Sequence, residues 1–142
     1  DGKVDIFVAG IGTGGTITGV GTYLKEKNPE VKIIGVEPAG SPLLTEGKAG
    51  PHGLQGIGAN FIPSILDKEV YNEIITVTDE NAYETGRLMA HCEGILVGIT
   101  SGAALWAAME IGKRQENWDK NIVAFLPDTG DRYLSTPMFA DK

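Results

Sequence analysis

A single cysteine, Cys92, stands in the whole chain, so no internal disulfide can form, and no cluster of Cys and His has the spacing of a zinc site. Clusters of Lys and Arg are missing too. With 12 basic against 19 acidic side chains the formal net charge is −7, which argues against a nucleic-acid partner, because phosphate backbones are held by grouped cations. No apolar run is long enough to span a bilayer, and the start has no basic, apolar, small-residue pattern of a signal peptide, so the expectation is a protein outside the membrane in a reducing cytoplasm. The chain opens at Asp1 without Met and enters an apolar stretch within a few residues, as a piece of a longer protein would.

What is abundant is glycine, 20 of 142 residues, gathered in short groups between apolar segments rather than in a repeat. This length normally makes one domain and removes about 68–70% of the unfolded surface from water. Asp5 to Ala9 reads as a buried strand, Gly10 to Thr16 as a turn, and Ile17 to Lys27 as a helix with Ile17, Val20 and Leu24 on its apolar face. Asn28-Pro29 stops that helix, and Lys32 to Glu37 is a second buried strand. Strand, turn, helix and strand in this order predict a right-handed βαβ unit with parallel strands.

Residues 38 to 68 carry four prolines and the glycines Gly50, Gly53, Gly56 and Gly58, a loop long enough to suggest function. Glu73 to Thr78 reads as a strand, and Asp79 to Glu93 as a helix with Ala82, Gly86, Met89 and Cys92 inward and Gly94 as its stop. Ile95 to Ile99 is apolar again. Thr100-Ser101-Gly102 opens an alanine-rich helix to about Arg114, with Lys113 and Arg114 at its negative end, and Ile122 to Leu126 is the last strand. The alternation predicts a three-layer, Rossmann-like α/β fold with a mainly parallel sheet, filling 1–142 as a single domain. Trp106 and Trp118 are expected to pack, and His52 and His91 to be structural.

Gly10-Ile11-Gly12-Thr13-Gly14-Gly15-Thr16 lies directly between a strand and a helix. Amide hydrogens there converge with the positive end of the helix dipole, so a phosphate is the natural occupant, with Thr13 and Thr16 adding hydroxyl donors. No Lys follows as a P-loop would require. The bland alternative is a turn serving helix–strand packing. The same stretch also fits G-x-G-x-x-G through Gly10, Gly12 and Gly15, with Glu37 at the end of the next strand, which is the pattern of a nicotinamide or flavin dinucleotide site in an oxidoreductase.

Gly12 to Thr16 followed by Ile17-Thr18-Gly19 resembles the phosphate loop of the pyridoxal-phosphate family that includes cysteine synthase, cystathionine β-synthase and the tryptophan synthase β subunit. Gln55-Gly56-Ile57-Gly58-Ala59, Gly98 to Ala103 and Asp131 to Thr136 resemble the cysteine synthase branch, and together the four motifs cover about the second half of such an enzyme. The resemblance implies a fold-type II domain in which Gly12, Thr13, Gly14, Gly15 and Thr16 bind the phosphate of pyridoxal 5'-phosphate. Thr100 stands where a serine usually meets the pyridine nitrogen. A neutral hydroxyl there suits β-elimination over transamination. Thr100 and Ser101 could equally cap the following helix.

By the same resemblance Gly56, Gly58 and Ala59 approach cofactor and substrate, unless this is only a surface loop. Asp128 with Asp131, Arg132 and Tyr133 closes the far side of the pocket, unless Asp131 and Arg132 are simply a loop ion pair. The implied reaction takes O-acetylserine and sulfide to cysteine and acetate in a homodimer. Serine acetyltransferase is an expected partner of that family, although Gly53 departs from the lysine common at its position. The Schiff-base lysine and the substrate-carboxylate turn of the family do not occur here, so the chain alone is expected to be inactive and to contribute no catalytic residue. A noncatalytic docking module is the remaining alternative.

Overall fold

The computed structural model describes residues 2–12, 14–54, 56–59 and 62–139. Four strands, β1 (Ile6–Gly10), β2 (Lys32–Pro38), β3 (Glu73–Val77) and β4 (Ile122–Ala124), form one sheet in the order β3-β2-β1-β4. All three pairings are parallel, with Val8 opposite both Ile34 and Ala124, and Val36 opposite Ile75.

The central strands are apolar except for Lys32 and Glu37 at the two ends of β2, because both faces of the sheet are covered. Side chains alternate between two cores. Phe7, Ala9 and Ile33 meet Ile17 of α1 (Gly15–Lys27), together with Val31 and Leu66. Ile6, Val8, Ile34 and Val36 meet Ile99, Ala103, Ala107 and Ile111 of a long apolar helix. Between β2 and β3 a short helix, α2, covers Leu43–Glu46. The second face is covered by α4 (Ile99–Gly112), and α3 (Asp79–Glu93) lies against α4. The result is the expected parallel three-layer arrangement.

Local signals explain most boundaries. Thr78 caps α3, its hydroxyl accepting from Asn81 N at 3.1 Å, and Gly94 ends it at φ 70°, a conformation that costs glycine little. Several expectations need correction. On α1 the buried partner of Ile17 is Gly21, not Val20, which is 36% exposed; the helix sits so close to the sheet and to the turn before β3 that a Cβ at Gly21 would come 3.4 Å from Ile33 Cγ2 and 2.9 Å from Val70 Cγ2. Cys92 is exposed although it lies two turns beyond buried Thr85 on the same side of α3, because the end of the helix and the residues after it, 91–96, extend past the packed part. Trp118 is 71% exposed and donates its indole N–H to the Lys113 carbonyl at 3.2 Å.

Ile95 and Leu96 are exposed, while Val97 is buried through an isolated antiparallel bridge to Thr129. The helix after them begins at Ile99 with Gly98 as its cap, so neither Thr100 nor Ser101 caps it. Arg114 leaves the helix end to pair with both oxygens of Glu73, at 2.8 and 2.6 Å. Among the described residues no helix is long and apolar enough to cross a membrane, and no group of His, Cys, Asp and Glu could hold a metal ion.

Candidate cofactor site

The C-terminal ends of parallel strands are where an open α/β sheet leaves a crevice, and here β1 ends at Gly10 with α1 beginning five residues later. Ile11 N still follows the ladder, donating to the Val36 carbonyl at 3.0 Å. The chain then turns away from the sheet. Gly14 adopts φ 89° as the N-cap of α1 and, being glycine, has no side chain with which to cap it. The first turn of a 13-residue helix carries the positive end of its dipole, which attracts an anion. Bulk is excluded on two sides. A Cβ at Gly12 would overlap the Gly56 carbonyl oxygen, and one at Gly14 would come 2.8 Å from Leu66 Cβ.

In front of this turn lies an open cavity of about 510 Å³. Gly10, Gly12, Gly14 and Thr16 form one wall, Gly56 and Ile57 another, and Thr100, Asp128, Arg132 and Tyr133 with Phe125 and Pro127 the rest. Segments from four distant parts of the sequence thus meet at one place. Gly15 is the first residue of α1. Thr13 and Gln55 lie outside the described residues. Gly58 and Ala59 are not on this cavity; they line a pocket of about 20 Å³ with Gly12 and Glu37.

Thr100 is 6% exposed and faces the large cavity from the first turn of α4, with no hydrogen-bond partner recorded for its hydroxyl among the described residues. Ser101, one residue on, faces the other way. Its hydroxyl donates to Asp128 Oδ1 at 2.8 Å, and Tyr133 donates to Asp128 Oδ2 at 2.5 Å. Asp128 is therefore satisfied on both oxygens, and its carbonyl accepts from Gly98 N at 3.1 Å. A Cβ at Gly98 would collide with the Asp128 carboxylate, so that glycine lets α4 begin against the loop. The bond to Asp128, with partial burial, raises the Tyr133 pKa above 10.0. Arg132 lies 3.8 Å from Asp128 and its side chain is 74% exposed. The Asp131 carboxylate instead accepts from the Thr129 hydroxyl, which lowers its pKa, so the ion pair of this loop joins Arg132 to Asp128 rather than to Asp131.

Glu37 removes the basis of the dinucleotide reading. It is 3% exposed; Oε2 accepts from Leu44 N at 3.0 Å, and Oε1 from Thr45 N at 3.1 Å and Thr45 Oγ1 at 2.9 Å. Both oxygens are spent on α2, and no ribose fits a 20 Å³ pocket. Sequence reasoning also missed Ser101 and Tyr133 as partners of Asp128; nothing local announces the contact with Ser101 across 27 residues, and Tyr133 reaches back only five.

Residues 1–128 match the family described as pyridoxal-phosphate-dependent enzymes. Cysteine synthase B of Campylobacter jejuni is 56% identical over 140 residues, 99% of this chain and 46% of its own length. Cysteine synthase of Staphylococcus aureus is 49% identical over 137 residues, covering 96% of this chain and 44% of itself. The crystal structure of cysteine synthase from Entamoeba histolytica superposes with a TM-score of 0.97 at 46% identity, over 100% of this chain and 42% of that one. The chain thus spans less than half the length of the relatives it matches.

Proposed function

Because the chain belongs to the family of pyridoxal-phosphate-dependent enzymes, with residues 1–128 of its 142 matched, we propose that it supplies the phosphate-holding half of a cysteine synthase active site. One observation carries the reading: the N-terminus of α1 opens, through Gly14 and Thr16, into the same cavity as Gly56, Thr100 and Asp128. The residues present fit the cofactor. Glycines at 12 and 14 let the turn pass against Gly56 and Leu66 where a Cβ would collide, the helix start favours a dianion, and a hydroxyl on Thr100 stands ready for a ring nitrogen.

In this reading Gly12, Thr13, Gly14, Gly15 and Thr16 hold the phosphate, and Thr100 orients the ring through a neutral hydrogen bond. Asp128, fixed by Ser101 and Tyr133, holds the start of α4 and hence Thr100 in place. Gly56 and Ile57 shut the near side against water. Bound pyridoxal phosphate supplies the electron sink for losing acetate from O-acetylserine and adding sulfide to give cysteine. The lysine that would carry the cofactor belongs to the other half, so the chain alone holds the phosphate without turning over.

A homodimer in the cytoplasm completes the proposal, on the family likeness alone. Serine acetyltransferase is left out of it. A lysine at Gly53 would place its Cβ 2.6 Å from the Tyr83 hydroxyl and 2.7 Å from Asp79 Oδ2, so this chain offers no room for that family feature without local movement.

The enzyme containing this chain, once purified, should show a cofactor absorbance band that shifts on adding O-acetylserine, and should release cysteine when sulfide follows. No band would remove the cofactor assignment. A band indifferent to O-acetylserine would remove the substrate.

A further inference from the structure

The Gly56–Ile57 wall belongs to no strand or helix, so side chains and isolated bonds must hold it. It sits tightly against the end of β1: a Cβ at Gly10 would come 2.8 Å from Ile57 Cγ2. Two bonds anchor the ends of the segment. Gly53 N donates to Asp79 Oδ2 at 2.8 Å, and Gly58 N donates to the Ile11 carbonyl at 3.2 Å. Between these anchors the ring of half-buried His52 spans the segment, with Nδ1 3.1 Å from Leu54 N and Nε2 2.9 Å from the Gly58 carbonyl.

A backbone N–H can only donate and a carbonyl can only accept. Both contacts are therefore hydrogen bonds in one protonation state alone: the neutral ring with Nδ1 bare and Nε2 carrying the hydrogen. We propose that His52 is a positioning residue, which in this tautomer ties the Gly58 carbonyl to Leu54 and so sets the gap between the Gly56–Ile57 wall and the Gly10–Gly12 turn. It acts through backbone, since both nitrogens are engaged and the ring does not line the cavity. Only the ligand half of the test rests on the proposed phosphate site.

The two bonds can be separated by substitution. The amide of Asn reaches about as far as Nδ1 and that of Gln about as far as Nε2, so His52→Asn keeps the Leu54 bond and His52→Gln keeps the Gly58 bond. Ile57 methyl shifts and the affinity for inorganic phosphate would be measured by NMR on the 142-residue chain and both variants. The Gln variant should match the parent in both. The Asn variant should shift the Ile57 methyls and weaken phosphate roughly fivefold, the scale of one lost hydrogen bond.

Equal behaviour of the two variants, or a reversed order, would overturn the proposal. Should either variant fail to fold, long-range proton–nitrogen correlation on the parent still decides, because a ring protonated at Nδ1 contradicts the assignment. If the parent binds no phosphate while the methyls respond as stated, the cavity reading fails and the role of His52 stands.

Discussion

Tyr133 donates its phenolic hydrogen to Asp128 Oδ2 at 2.5 Å, while Ser101 of α4 takes the other oxygen of the same carboxylate at 2.8 Å. The loop after β4 is thereby fastened to the helix that carries Thr100. With a side chain only 13% exposed, Asp128 would lose a charge-assisted partner inside a sheltered site if the phenol were removed.

Tyr133→Phe should therefore destabilise the fold by about 1–3 kcal/mol near neutral pH, the range for hydrogen bonds to charged groups. The alkaline dependence follows from the raised pKa. The folded state holds the Tyr133 proton more tightly than the unfolded one, so this contribution is complete below the ordinary value of 10.0 and is lost as pH climbs from there through the folded value. Denaturant titrations should show the two proteins converging in that window, and the Phe variant should lack this component of alkaline loss. A constant gap across it would show that the bond does not control the Tyr133 proton.

Gly12→Ala and Gly14→Ala should separate fit from fold. Alanine at 12 collides with the Gly56 carbonyl and should weaken phosphate by at least about tenfold, or about 1.4 kcal/mol. Alanine at 14 must adopt φ 89° beside Leu66 and should cost about 1–3 kcal/mol of stability. Phosphate titration and thermal melting read the two effects.

Thr100→Ala removes a hydroxyl that has no recorded partner among the described residues, in a helix where Ala is the better former. Melting should be unchanged or higher, while cofactor affinity in the full enzyme falls by about 0.5–1.5 kcal/mol and Thr100→Ser restores it. Equal affinity in all three proteins would remove Thr100 from the site.

The Glu73–Arg114 pair predicts acid sensitivity. Two hydrogen bonds from the guanidinium hold the Glu73 carboxyl below its ordinary 4.5, so its contribution is present above that value and disappears as pH falls through the lower, folded one. Both side chains are over a third exposed, so solvent screening keeps the effect under about 1 kcal/mol. Glu73→Gln should be slightly less stable than the parent at pH 7 and indistinguishable from it in strong acid.

The layered fold and the glycine turn were legible because their signals are local. Continuous apolar strands, Pro29 after α1 and Gly94 after α3 each act within a few residues. Long-range facts were not. Whether Val20 or Gly21 faces inward depends on how closely α1 approaches the sheet, and exposure of Cys92 depends on how far along α3 its packing extends. Glu37 looked like a ribose ligand until Leu44 and Thr45 came into view around its carboxylate. His52 carried no pattern at all, since its partners are backbone groups two and six residues away.

The central claim is that the turn before α1 receives a phosphate. Amide proton and nitrogen shifts followed during titration with inorganic phosphate address it most directly. Saturable changes at Gly12, Gly14 and Thr16, with Glu37 and the far end of the sheet unmoved, are the predicted result. Saturable changes elsewhere, or a silent turn at high phosphate, would contradict it.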